Sequence, residues 1–278
     1  MSRPDRRVAA KYAGEVLRRV SWSGIPVEPV VVAERLGVTV QPSDQLDRCM
    51  SGCLVECDGS FGILYDSTIA SEEHQRFTIA HELGHFSIPW HRKRLAREQI
   101  IHRSRSHFSD YDAMEVEADT FAAELLMPET EYRKALLRHN RGLPGIKRLA
   151  EEFRTSLTAT AIRYALHTPD PAAVIVSGLS GQIDYAFISE ELRGMGAARI
   201  PKGSPVPRAS LTHQVIRRLC KSEDVLRDEG ISHMRVWFRN DKADFELDED
   251  VMPLGRTGQV LTVLSTERAP TDFREKSD

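Results

Sequence analysis

The chain has 278 residues, of which 41% are hydrophobic and 28% charged, and its formal net charge is -3. That length can bury a sizeable core in two domains or one large one, and a charge so near zero gives no global cause to bind nucleic acid or an anionic membrane. No window approaches the roughly 18 apolar residues of a membrane span, and the basic start MSRPDRRVAAKYAGEVLRRV lacks the apolar run of a secretory signal, so a cytoplasmic protein is expected.

Taken in chain order, apolar residues first recur at helical spacing over 6–20. In PVEPVVVAERLGVTVQP a short helix ends at Gly37 and a strand follows at 38–40. SGCLVECDGSFGILYD predicts a β-hairpin turning at Asp58-Gly59, its second strand at 61–65. Cys49, Cys53 and Cys57 have no second pair of the kind structural zinc sites use, which favours reduced structural thiols over a redox or metal-latching role. An apolar-rich helix is expected over 71–87, stopped by Pro89, and the basic stretch 91–109 reads as an exposed loop or loose helix. A strong helix covers 111–127, closed by Pro128, and another continues to about 139. GIKRLAEEFRTSLTATAIRYALH divides into two helices near 154–156, and the prolines of HTPDPAA mark a boundary. Beyond it, 173–177, 183–187, 234–238 and 259–264 look like strands, with a helix at 213–220 between them. The predicted organisation is an α+β fold with an N-terminal domain (1–135), a helix-turn-helix-like pair (136–168) and a C-terminal α/β domain (169–278).

The chemistry concentrates in FTIAHELGHF, residues 77–86. On a helix, positions i and i+4 share a face, so His81 and His85 can aim imidazole nitrogens at one metal ion. Glu82 sits too far round the helix to ligate with them and is placed to take a proton from a water at the metal. This is the H-E-x-x-H arrangement of metallopeptidases. Phe77, Ile79, Ala80, Leu83 and Phe86 would keep the site dry, and Gly84 is expected to leave room on the metal-facing side. Alone, the motif arises by chance in on the order of one chain in a hundred, so the reading turns on a third ligand.

His91 lies where metzincins place a third histidine, but Ile88 and Pro89 stand where that pattern needs a glycine to turn the chain. The better source is YDAMEVEADTFAAELLMP, where Glu115 and Asp119 share a helix face. Glu115 would complete a His2Glu zinc site, and Asp119 would accept the other ring N–H of a ligating histidine, the gluzincin arrangement. Glu117 is the alternative ligand if the helix register differs. Such a site suits Zn2+ and could also accept Mn2+ or Fe2+. An oxyanion donor or substrate contact is sought among Arg76, Tyr111, Tyr132 and the remaining histidines. An extended substrate could add to the hairpin edge around residues 53–65.

With RFTIAHELGHF joined to EVEADTFAAELLMP, the chain resembles the ImmA/IrrE family of cytoplasmic metallopeptidases. The resemblance extends to SGCLVECDGSFGILYD and, more weakly, to VVVAERLGVTV, covering about residues 25–135. It implies a zincin-like domain, His81, His85 and Glu115 as metal ligands, Glu82 as general base, and an endopeptidase that cuts a helix-turn-helix repressor of the XRE type in response to stress, DNA damage or a mobile element. The C-terminal region is only loosely like the extra, sensory domain of longer members.

IKRLAEEFRTSLTATAIRYAL also has the outline of a DNA-binding helix-turn-helix. The start of its second helix, Leu157-Thr158-Ala159-Thr160, offers poor base-reading side chains, and Glu151 and Glu152 oppose its basic residues, so DNA binding is disfavoured. The rival function is a DNA-binding or ligand-sensing regulator with a non-catalytic metal site.

Overall fold

The computed structural model describes residues 4–47, 50–98, 102–105, 113–238, 244–255 and 258–267. It divides into two compact units, Met1–Lys134 with Ala150–Ser156, and Ala135–Leu149 with Leu157–Asp278.

In the first unit, α1 (Arg6–Arg19) is capped by Asp5, whose side chain accepts the Val8 N–H at 3.1 Å, and it buries Ala9, Ala13 and Val16. α2 (Pro29–Arg35) begins with proline at its first turn. Gly37, at φ 79°, then turns the chain into β1 (Val38–Ser43). β2 (Met50–Cys57) and β3 (Ser60–Asp66) form the expected hairpin. Asp58 and Gly59 take φ 49° and 75° at its turn, the conformation that twists with the strands. β1 pairs parallel with β3.

Ser71 caps α3 (Glu72–Ser87) by accepting the His74 N–H. Ile88 is extended, as the residue before proline prefers. Pro89 then opens a new helix, α4 (Pro89–Glu98), and β4 (His102–Arg105) adds antiparallel to β2, giving the sheet order β1-β3-β2-β4. The stretch expected as a loop or loose helix thus supplies a helix and an edge strand. A four-residue edge strand is held by backbone pairing, so the polar run HRSR carries no alternation to betray it. α5 (Ala113–Leu126) and α6 (Glu129–Leu136) follow. The core of this unit joins Val32, Ala33, Leu54, Ile63, Leu83, Phe121 and Leu125.

The helical pair is α7 (Gly142–Phe153) and α8 (Leu157–His167), broken at Arg154, which has φ 52°. The segment 136–168 is shared out: 150–156 belongs to the first unit and the remainder to the second. In α8, Thr160, Ala161, Tyr164 and Ala165 are buried, and the helix packs on β5 (Ala172–Gly178) and β6 (Ile183–Ile188). It is a packing element of the second unit.

That unit continues with α9 (Glu190–Gly194), α10 (Leu211–Leu219), β7 (Asp228–His233), α11 (Met234–Phe238), β8 (Glu246–Pro253) and β9 (Gln259–Ser265). Its sheet order is β6-β5-β9-β8-β7, with every neighbour antiparallel, so the C-terminal region is an antiparallel α+β unit and not an alternating α/β one. Two further expectations change. Residues 234–238 form a helix, because Met234, Trp237 and Phe238 bury one helical face. β7 and β8 were hidden by their charge. In β8 the buried face alternates Leu247, Glu249 and Val251, and Glu249 is tolerated there because it accepts hydrogen bonds from Thr212 and Trp237. Among the described residues no helix is long and apolar enough to cross a membrane.

Candidate metal centre

α3 is buried nearly all round its middle, from Thr78 to His85, because β2 and β3 cover one side and α5 the other. Two glycines make that sandwich close. A Cβ on Gly84 would lie 3.2 Å from the Ala118 Cα and 3.2 Å from the Phe121 Cβ. Gly84 therefore admits the backbone of α5, the helix that carries Glu115 and Asp119. A Cβ on Gly52 would lie 2.4 Å from the Thr78 Cγ2 and 3.7 Å from Glu82 Oε1, so β2 crosses directly over the H-E-x-x-H helix. Sequence reading passed over Gly52, although a glycine inside a strand is a signal of close backbone approach.

The approach of α5 brings Glu115 and Asp119 to the histidines. His81 Nε2 lies 3.0 Å from His85 Nε2 and 3.4 Å from Glu115 Oε2, and His85 Nε2 lies 3.6 Å from Glu115 Oε1. A tetrahedral ion with bonds of about 2.1 Å spaces its ligand atoms about 3.4 Å apart. The three donor atoms already have that spacing, and His81, His85 and Glu115 are the metal-capable group among the described residues. His81 Nδ1–H donates to Asp119 Oδ1 at 2.9 Å. That bond fixes the tautomer and leaves the Nε2 lone pair pointing at the centre. The Glu115 side chain is 26% exposed while that of His85 is sealed, so the centre opens to solvent on the Glu115 side.

The electrostatics ask for a cation. Burial opposes a charge on His81, but its hydrogen bonds to Asp119 and Glu115 and the charges of Glu82 and Asp119 outweigh it, raising the pKa to about 10. In the metal-free chain a proton on His81 does the neutralising that a bound divalent ion would do. Glu82 is fully buried beneath β2.

The other expected residues lie elsewhere. Arg76 is buried and spends its guanidinium on the Val27 carbonyl, the Glu28 carboxylate at 2.5 Å and the Arg154 carbonyl. Arg154 in turn pairs with Glu28 and Glu72, so Arg76 ties α2, α3 and the 150–156 segment together and is no oxyanion donor. Tyr132 is fully buried, its ring 5.2 Å from that of Phe153, and takes no place at the centre. Tyr111 and Cys49 lie outside the described residues. Glu117 turns away from the centre and accepts from His91 at 3.2 Å. β1 pairs with β3 along 61–66 and β4 with β2 along 50–54, so the hairpin edge is already occupied over those residues.

The helix-borne H-E-x-x-H and a carboxylate from a second helix together form a group that could hold a metal ion. Residues 33–164 match the family model described as the IrrE N-terminal-like domain, Peptidase_M78, in line with the resemblance to the ImmA/IrrE family. No curated protein matches the chain. Among solved structures it is similar to one described as a Mycobacterium tuberculosis transcriptional regulator. The identity is 14% and the TM-score 0.61, over 93% of this chain and 76% of that one, a likeness that concerns the fold alone.

Proposed function

We propose that the protein is a zinc-dependent endopeptidase with a zincin-like catalytic domain, acting in the cytoplasm on a helix-turn-helix repressor of the XRE type. One observation carries the catalytic part: two imidazole nitrogens and one carboxylate converge at metal-ligand spacing with Glu82 buried beside them. The match of residues 33–164 to a peptidase family model supports it. The substrate follows from that family's resemblance and is the finer part of the reading.

His81, His85 and Glu115 would hold the ion, and Asp119 would orient His81. When bound, the ion supplies Lewis acidity, lowering the pKa of a water and polarising a peptide carbonyl. Glu82 takes the proton from the attacking water and returns it to the leaving amine nitrogen. The burial of Glu82 keeps bulk water from competing for that proton.

The test compares new protein N-termini in the native host, wild type against Glu82→Gln, with and without DNA damage, alongside metal content of both purified proteins. A cut in a helix-turn-helix repressor that needs Glu82, with metal retained in the variant, supports the reading. If no cut depends on Glu82 while basic residues of 145–163 govern transcription, the protein is a regulator with a non-catalytic metal site.

A further inference from the structure

His91 fails to join the metal ligands, yet it is completely buried beside them. Its ring centroid lies 5.0 Å from that of His85, with the planes at 41°, and Trp90 closes on its other side edge-on at 4.2 Å. His91 Nε2–H donates to Glu117 Oε2 at 3.2 Å. Glu117, only 5% exposed, accepts the Asp5 backbone N–H on its other oxygen at 2.7 Å. A buried carboxylate is costly unless its oxygens are satisfied, and here each oxygen has a donor on a different element.

We infer that His91 and Glu117 are positioning residues for the metal ligand His85. The inference rests on the metal-centre reading above. His81 is held in its orientation by the hydrogen bond its Nδ1–H donates to Asp119. His85 is held by a packed ring, that of His91, which Glu117 locks in place. The chain of contacts runs from the start of α1 through α5 to the first turn of α4 and ends on the ligating imidazole. α5 therefore serves both histidines: Glu115 and Asp119 reach the His81 side directly, and Glu117 reaches His85 through His91. The pair does not touch the reacting atoms, so its removal alters the metal site's geometry and affinity before it alters chemistry.

The experiment uses the full chain, stripped of metal and titrated with Zn2+ against a chelator, then with Co2+ to read the d–d absorption bands. His91→Phe keeps the ring and removes the donor. Glu117→Gln keeps size and an acceptor for Asp5 but reverses the polarity offered to His91. Each is expected to weaken Zn2+ binding about tenfold to a hundredfold, as loss of outer contacts to a ligating histidine does elsewhere, and to shift the Co2+ bands. The two changes together should cost little more than one, since they break one contact chain. Val32→Ala, a buried change in the same core away from the centre, should lower the melting temperature and leave the Co2+ bands alone. Wild-type affinity and bands in both variants would overturn the inference while leaving the metal centre standing. A wild-type chain that binds neither ion would overturn the metal reading itself and the inference with it. Should His91→Phe fail to fold, Glu117→Gln carries the test alone.

Discussion

Gly52→Ala is the sharpest perturbation of the sandwich around α3. The added methyl would meet the Thr78 Cγ2 at 2.4 Å and the Leu64 carbonyl at 3.1 Å. Carbon atoms settle at about 3.5–4.0 Å, so β2 must lift from α3 by roughly 1 Å or Thr78 must leave its rotamer. Overpacking of this kind costs about 1–3 kcal/mol, against a gain of about 0.5–1 kcal/mol for replacing glycine inside a strand. The clash wins, and the melting temperature should fall by several degrees. Glu82 Oε1 lies 3.7 Å from the same point. A displacement of about 1 Å there should lower peptide cleavage on the order of a hundredfold, while Zn2+ affinity changes little. Adding Thr78→Ser removes the Cγ2 and should recover most of both losses, a coupling read from a double-mutant cycle of melting temperature and kcat/KM. Equal stability and cleavage in Gly52→Ala and wild type would refute the close approach of β2 to the catalytic helix.

Other expectations follow from the same geometry. In the metal-free chain His81 is raised from 6.5 to about 10, so its contribution to stability is fully present below pH 6.5 and is lost as pH climbs towards 10. Melting temperature of the chelator-treated protein should therefore fall across that window, and His81→Gln should flatten the dependence; a flat profile in the wild type would contradict the arrangement. Gly84→Ala places a methyl 3.2 Å from the α5 backbone and should cost about 1–3 kcal/mol together with weaker Zn2+ binding, because α5 carries Glu115. Arg76→Gln breaks the pair between buried Arg76 and half-buried Glu28 and should lower stability by about 1–3 kcal/mol with little change in kcat of the folded fraction; a kcat collapse at full stability would return Arg76 to the chemistry.

The metal-facing residues were legible because helical spacing is rigid. His81 and His85 four apart, and Glu115 and Asp119 four apart, fix two faces whatever the tertiary structure does. What brings those faces together was not legible as chemistry. Gly84 read as room on the metal-facing side, and what fills that room is the backbone of another helix, α5. Arg76 and Tyr132 were nominated by residue type, and type says nothing of direction: both are consumed by packing and ion pairing within the first unit. The second unit was misread where a charge occupies a core position. Glu249 breaks the apolar alternation of β8, and only the donors that reach it, Thr212 on α10 and Trp237 on α11, explain why a carboxylate can stand there.

Three acidic residues at alternate positions of α5 look like one charged face in the sequence, yet they do separate work. Successive steps of two residues turn a helix by about 200°, which throws Glu117 to the side opposite Glu115 and Asp119. On the near side the two carboxylates raise the proton affinity of His81 and prepare the place for a divalent cation. On the far side Glu117 is balanced by two N–H donors, one from the backbone of Asp5 and one from His91. Glu115 and Asp119 thus take the histidines as their partners, whereas Glu117 takes its donors from Asp5 and His91. The asymmetry between the two sides of α5 places two carboxylates where the histidine nitrogens converge, a donor set that suits a divalent cation.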